Sequence, residues 1–236
     1  MSSQLPPDRL PPESFAWPAL DPLEAFTAPE RITRVDHVLR HRIGSVTAVF
    51  EDVFDPHNVA ACVRTCEGFG LQDLHTIVNR HGVRLSSTVA KSADQWVDLH
   101  QHQGTEAGIA ALKAQGFAIY VSDLQATQTL AELPLDAKVA IVVGNAKDGI
   151  SQAMREAADR RYILPMYGMV QSYNLSVALA LSLQHVLPRR RAELAPHQGD
   201  LPMARMWALR QRWLEYGMRH AEVMRRELGH PDPGQT

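Results

Sequence analysis

Cysteine is nearly missing from this 236-residue chain. The only two, Cys62 and Cys66, stand four apart in a segment that reads as helix. No second ligand pair at metal spacing lies near them, which argues against a metal site. Two reduced packing thiols fit instead, and with them a cytoplasmic location. No apolar run reaches the roughly 18 residues that a membrane span needs. The opening "MSSQLPPDRLPPESFAWPAL" lacks a basic region followed by an apolar core, so it is not read as a secretory signal. No G-x-G-x-x-G follows a strand and no P-loop is present, which argues against a dinucleotide enzyme or a nucleotide hydrolase. No Ser/Cys–His–Asp set and no carboxylate pair suited to glycosidase chemistry stands out, and there is no internal repeat.

What is present is 45% hydrophobic residues, enough for one sizeable α/β domain with appendages. The net charge of −2 says little by itself. Its distribution says more. From Arg160 to the end, setting aside Asp232, eleven arginines face Glu193, Asp200, Glu215, Glu222 and Glu227. A second cluster, Arg31, Arg34, Arg40 and Arg42 with His37 and His41, precedes the first strand. Arginine-rich flanks around a neutral-to-acidic core fit either a polyanion footprint or ordinary solvated helix faces.

Residues 1–30 hold seven of the fifteen prolines and one basic residue, Arg9, and read as an irregular leader. Residues 31–43 read as a short basic helix. Strands are expected at 45–53, 74–79, 117–124, 139–145 and 162–166. Helices are expected at 58–70 (Asn58 as N-cap, Gly70 as stop), 87–97, 104–116, 151–160 (Ser151 as cap), and from 175 onward as a buried apolar helix. A long amphipathic helix over 203–228 carries the stripe Met206, Leu209, Trp213 and Tyr216. Continuous apolar strands alternating with helices indicate a parallel sheet covered by helices on both faces. The expected organisation is a leader at 1–30, a basic helix at 31–43, an α/β domain at 44–188 and a basic helical extension at 189–236.

Parallel α/β sheets bind ligands at the carboxyl ends of their strands. That rule selects "FDPHNVAACVR", "SDLQAT", "VGNAKDGIS" and "PMYGMVQSYN". Gly144 and Gly149 in the third would allow close backbone approach to a flat ligand. Asn58 and Arg64 in the first stand nearly two helical turns apart. An arginine among small apolar residues is either functional or salt-bridged to Glu51, Asp52 or Asp55. In the fourth, Gly168, Gln171, Ser172, Asn174 and Ser176 crowd the lead-in of an apolar helix. Buried polar groups are costly unless satisfied, so they either cap that helix or face a ligand.

Three stretches, "DPHNVAACVRTCEGFG", "VAIVVGNAKDGIS" and "ILPMYGMVQSYNLSVALAL", resemble, in order and spacing, the three motifs of the SPOUT class of RNA 2′-O-ribose methyltransferases. The basic helix before the first strand and "RQRWLEYGMRHAEVMRREL" resemble the TrmH-type tRNA (guanosine-2′-O)-methyltransferases, and the likeness spans about residues 31–228. The resemblance implies a deep trefoil knot in the C-terminal part of the α/β domain, S-adenosylmethionine as cofactor, a homodimer and no metal. It implies an adenosyl site around Leu124, Gly144, Leu164, Met166 and Tyr173, with Ser172 and Asn174 near the methyl donor. It gives the reacting ribose to Arg64, held by Asn58 and Asn174. A guanidinium is a poor base, so Arg64 either loses its proton in the assembled site or stabilises the developing alkoxide. RNA binding falls to Arg31, Arg34, Arg40, Arg42, His57, Arg64, Arg189, Arg190 and Arg191 together with the C-terminal helix. The expected reaction is 2′-O-methylation of structured RNA, with tRNA guanosine 18 foremost. The alternatives are a ribosomal-RNA target or a non-catalytic RNA-binding protein. The last is raised by Ala146, which replaces the glutamate of the family's second motif; Asp148 stands two residues on as a substitute.

Overall fold

The structure, a computed structural model, describes residues 16–79, 93–145, 148–194 and 199–227. The chain forms two units: Ile43–Glu193, and Met1–Arg42 together with Leu194–Thr236.

The larger unit is built on six strands: β1 (Val46–Glu51), β2 (Asp73–Val78), β3 (Asp98–Gln103), β4 (Phe117–Ser122), β5 (Lys138–Val143) and β6 (Arg160–Tyr162). They lie in the order β3-β2-β1-β5-β4-β6, and every pair is parallel. Four strands, β1, β2, β4 and β5, fall where apolar runs indicated. Helices α3 (Thr105–Ala114) and α4 (Gln152–Ala157) cover one face, where Leu112, Ile150 and Met154 pack on Val49, Ile119, Val121, Ala140 and Val142. The alternate residues Ala48, Phe50, Tyr120, Val139 and Ile141 are buried too, so the opposite face is also covered. There α5 (Leu175–Glu193) packs on β5 and against α2 (Pro56–Phe69). Full burial of each such side chain stabilises by about 1.5–3 kcal/mol, which fixes the sheet as a rigid base.

Four expectations need correction. Edge strand β3, "DLHQHQ", was not anticipated, because a half-exposed edge carries no apolar run. The last strand is only Arg160–Tyr162, and Leu164 and Met166 belong to the loop beyond it. The N-cap of α2 is Asp55, which accepts from the His57 N–H at 2.9 Å and leaves the Asn58 side chain free for other work. Helix α5 is not wholly buried: Leu175, Leu179, Leu183, Val186 and Leu187 face inward, whereas Val177 and Leu181 are exposed. Gly70 closes α2 and Ser151 caps α4 as expected. The helix expected at 87–97 lies mostly outside the described residues; its end forms a 3₁₀ turn, Asp94–Trp96.

In the smaller unit, α1 (Pro29–Arg40) packs against α6 (Met203–Glu215), and a 3₁₀ turn, Pro22–Phe26, packs against α6 and α7 (Ala221–Glu227). The single helix expected over 203–228 is two helices, because Gly217 and His220 adopt left-handed backbone conformations. Met206, Leu209 and Trp213 are buried as a stripe, while Tyr216 ends α6 and is exposed. Arg210 is buried, ion-paired to Asp36 and Glu24 at 2.6 Å each, and lies over the rings of Trp17 and Trp207. Stripping such a buried pair of one partner costs about 3–5 kcal/mol, so the triad is a structural anchor. Among the described residues, no helix is long and apolar enough to cross a membrane.

Candidate active site

A cleft of about 450 Å³ opens at the carboxyl ends of β4 and β5. Its volume lies within the roughly 300–1,000 Å³ typical of small-molecule sites. One wall is the turn after β4, Asp123, Leu124 and Gln125. A second is the loop after β5, with Gly144, Asn145, Asp148 and Gly149. The third is the segment after β6, with Ile163, Leu164, Met166, Gln171, Ser172 and Tyr173. All six residues expected at the adenosyl site apart from Asn174 (Leu124, Gly144, Leu164, Met166, Ser172 and Tyr173) therefore line one cavity. A larger, more open depression of about 790 Å³ shares Gln125 with it, but its walls, including Gln128, Glu132, Asp159, Arg160 and Arg161, are mostly polar.

The loops are held from behind by buried polar groups. Glu51, at the end of β1, is buried and accepts three hydrogen bonds: from the Thr105 hydroxyl at 2.6 Å, the Ser151 N–H at 2.8 Å and the Ser151 hydroxyl at 2.7 Å. It thereby ties the starts of α3 and α4 to the central strand. The Asn145 side chain donates to the Asp52 carbonyl at 3.1 Å. Asn145 and Gly149 exchange backbone hydrogen bonds at 3.0 and 2.9 Å, folding the second-motif loop back on itself. A Cβ on Gly144 would collide with the Gly149 backbone, so glycine is needed there for the loop's own closure and not only for a ligand. Ala146 lies outside the described residues; Asp148 is exposed on the cleft wall.

The crowded polar lead-in to α5 does both of the things open to it. Asn174 caps the helix: its side-chain oxygen accepts from the Ser176 N–H at 2.9 Å and the Ser176 hydroxyl at 2.7 Å. Ser172 and Gln171 face the cleft, and the Tyr173 hydroxyl donates to the Pro165 carbonyl at 3.3 Å. Asn174 also reaches across the fold. Its amide donates to the Asn58 side-chain oxygen at 3.3 Å, and the Asn58 amide donates to Asp55 at 3.1 Å. Asn58 and Asn174, 116 residues apart, thus meet.

Arg64 differs. It is exposed on α2, and among the described residues no carboxylate pairs with it. The salt bridge to Glu51, Asp52 or Asp55 is not formed, because those groups serve Ser151, Thr105, Asn79, His57 and Asn58 instead. Nor do Asn58 and Asn174 hold Arg64 within one chain; they bond each other. A solvated guanidinium that the fold does not use remains available to a substrate.

Several arginines expected to bind RNA are occupied by the fold. Arg189 donates to the carbonyls of Leu130 and Leu133 at 3.0 and 2.9 Å. Arg190 is buried, bonds the Ala137 carbonyl and pairs with Glu193, and Arg191 donates to the Phe69 carbonyl at 2.8 Å. Arg42 is buried with its guanidinium 5.1 Å from the Trp213 ring centroid. Arg31 donates to the Trp213 and Tyr216 carbonyls. Four of these guanidinium groups bond backbone carbonyls and Arg42 packs on Trp213, so all five are held by the fold. Arg34, His57 and Arg64 are exposed, and Arg40 is partly so.

Sequence reasoning missed Asp123 and Arg155. Asp123 is buried at the cleft wall; it accepts from Arg155 at 3.1 and 3.2 Å and from the Gln125 N–H at 3.0 Å. The signal was its place directly after an apolar strand. Cys62 and Cys66 are free thiols in the α2 interface; burial pushes Cys62 up to about 12 and raises Cys66 as well. Both are inert packing groups at neutral pH.

Residues 45–184 match the SpoU rRNA Methylase family. A tRNA (guanosine(18)-2'-O)-methyltransferase of Borreliella burgdorferi is 35% identical over 170 residues, which cover 72% of this chain and 78% of that protein. An enzyme of the same name from Escherichia coli is 33% identical over 164 residues, covering 69% and 72%. Among solved structures, the A. aeolicus TrmH/SpoU tRNA modifying enzyme superposes with a TM-score of 0.71 at 26% identity, over 84% of this chain and 99% of that one. The parallel sheet, the second and third motif loops that line one cleft and these matches agree: the chain belongs to the SpoU rRNA methylase family.

Proposed function

We propose that this protein transfers a methyl group from S-adenosylmethionine to a ribose 2′-hydroxyl of structured RNA, with guanosine 18 of tRNA as the target. The observation that carries the reading is the Asn58–Asn174 contact, which joins the first motif to the third, beside a cleft lined by the second and third motif loops. It brings the first and third motifs to one point. The activity named for the Borreliella and Escherichia relatives, methylation of guanosine 18 of tRNA, supports the target. The cleft suits the cofactor chemically: Leu124, Ile163, Leu164, Met166 and Tyr173 offer apolar contact for a flat base, and the 144–149 turn and Ser172 offer polar groups. The bound cofactor would supply an electrophilic methyl group. The C-terminal trefoil knot is inferred from family membership; it makes the 163–174 segment both cofactor wall and cap of α5.

In this reading Arg64 meets the reacting ribose and its phosphate, and Asn58 and Asn174 fix the geometry. Arg64 stabilises the developing alkoxide, or gives up its own proton once the site is dehydrated. The site is completed by a second copy. Supporting this, Tyr167 and Met169 are 97% and 100% exposed, and Val170, Val177 and Leu181 extend the same exposed apolar set. Val177→Glu with Leu181→Glu should then convert a dimer to a monomer in sedimentation analysis; an unchanged sedimentation coefficient would argue against the dimer. Exposed Arg34 and His57 and the partly exposed Arg40 are the basic groups given to the RNA backbone. The cytoplasm is the expected location.

Methyl transfer is tested by incubating the full chain with unmodified tRNA transcripts and tritium-labelled cofactor. Label in tRNA carrying guanosine 18, and none in a transcript with 2′-deoxyguanosine there, is the expected result. Label only in ribosomal RNA would move the target, and none in any RNA would remove the activity. A second reading, an RNA-binding protein with impaired transfer, is favoured by Ala146 in place of the motif glutamate. A large gain in turnover for Ala146→Glu would support it.

A further inference from the structure

The cofactor cleft carries one basic side chain among its described lining residues, Arg155 of α4. No motif of the sequence singles it out. Its Nη1 is committed to both carboxylate oxygens of Asp123, at 3.2 and 3.1 Å. Its Nε is buried and bonds nothing, and the rest of the guanidinium stays open: the Arg155 side chain is 27% exposed, against 3% for Asp123. Asp123 has little capacity left, since it also accepts from the Gln125 N–H and lies 3.6 Å from Arg161. The Nε is enclosed by protein, so it is the exposed part of the guanidinium that is open to the cleft.

We propose that Arg155, held in place by Asp123, contacts the adenosyl end of the cofactor and selects for it. The inference rests on the reading of this cleft as the S-adenosylmethionine site. Two arguments assign the end. First, Asp123 directly precedes Leu124, so Arg155 stands on the Leu124 wall, which the family resemblance gives to the adenosyl group. Second, the amino-acid end of the cofactor carries a sulfonium and an α-ammonium against a single carboxylate, so its net positive charge opposes a guanidinium. Adenine and its ribose are uncharged, rich in acceptors and present a π-face on which a planar guanidinium can stack. The carboxylate of Asp123 fixes the guanidinium plane before the ligand arrives, which lowers the ordering cost of binding.

The test is calorimetric titration of the full chain with S-adenosylmethionine, S-adenosylhomocysteine and 5′-methylthioadenosine, which share the adenosyl group but differ in charge and tail. Arg155→Leu is compared with the double variant Asp123→Asn/Arg155→Leu, which leaves no unpaired buried carboxylate and guards against a simple folding defect. Both variants should bind all three ligands about tenfold or more weakly, the loss expected for a charged hydrogen bond, with the ratios among ligands unchanged. Wild-type affinity in the double variant would overturn the proposal, assigning Arg155 a structural role only. A loss for the two amino-acid-bearing ligands but not for 5′-methylthioadenosine would also overturn it, by placing Arg155 at the cofactor's carboxylate. Absence of binding by the wild-type chain is a separate result: it would overturn the reading of the cleft and the inference with it.

Discussion

Two buried polar groups of the sheet, Glu51 and His75, are handled in opposite ways. At the carboxyl end of β1, Glu51 is buried but receives three donors, each within 2.8 Å. At the β2–β3 edge, His75 is equally buried but shares one hydrogen bond, between its Nδ1 and the Nε2 of His102 at 2.9 Å; its own Nε2 finds no partner. His75 stacks on His100 and His102, with ring centroids at 4.9 and 5.2 Å, and His100 bonds Asp73 at 2.8 Å. The first arrangement locks loops that carry a site. The second lies on the β3 side of the sheet, with β1 between it and β5. Satisfied burial marks where geometry must be held; unsatisfied burial marks where stability is given up.

The largest effect that sharpens this contrast needs no stability change at all. Arg64→Ala removes a solvated side chain that the fold does not use. Turnover with tRNA should fall by about two orders of magnitude or more, while the urea midpoint stays within about 0.5 kcal/mol of wild type. A large loss of stability would show that Arg64 has a structural partner after all.

The edge should fail with acid. Burial, then the charges of His100 and His102, lower the His75 pKa to about 4, with Asp73 opposing. Unfolded, the imidazole titrates near its ordinary value of about 6.5. Between those values the unfolded chain takes up a proton that the folded chain refuses. Stability therefore falls as pH drops from about 6.5 to 4, by at most about 3 kcal/mol, and levels off below that range. His75→Phe should flatten the slope in urea titrations across this window; an unchanged slope would mean that another group sets it.

Glu51→Gln is the smaller perturbation. It keeps the shape but replaces an acceptor by a donor facing Ser151 and Thr105, at a cost of about 2 kcal/mol. It should also raise KM for the cofactor more than it lowers kcat, because the 144–151 loop loses its tether. An equal fall in kcat with KM unchanged would show that Glu51 does not position that loop.

Much of this was legible in the chain, for identifiable reasons. The central strands are continuous apolar runs, so β1, β4 and β5 declared themselves. The motif loops follow from the rule that ligands sit at strand ends, and "SDLQAT" was selected although Asp123 within it was not. What stayed hidden depends on partners distant in sequence. The strand "DLHQHQ" is stabilised by pairing with β2, not by its own composition. The arginines at 189–191 read as a polyanion surface, yet their guanidinium groups reach carbonyls 53 to 122 residues away. Charge counts cannot distinguish a solvated arginine from one bound to carbonyl oxygen. The break between α6 and α7 was readable in principle, since Gly217 falls inside the stripe.

The central claim is that the carboxyl ends of β4 and β5, with the segment leading into α5, form the cofactor site. Amide hydrogen exchange of the full chain with and without S-adenosylhomocysteine tests it most directly. Slowed exchange confined to the turns after β4 and β5 and to residues 163–175, with β2 and β3 unchanged, is the predicted result. Protection centred on the β2–β3 edge, or no protection at the three loops under saturating ligand, would contradict it.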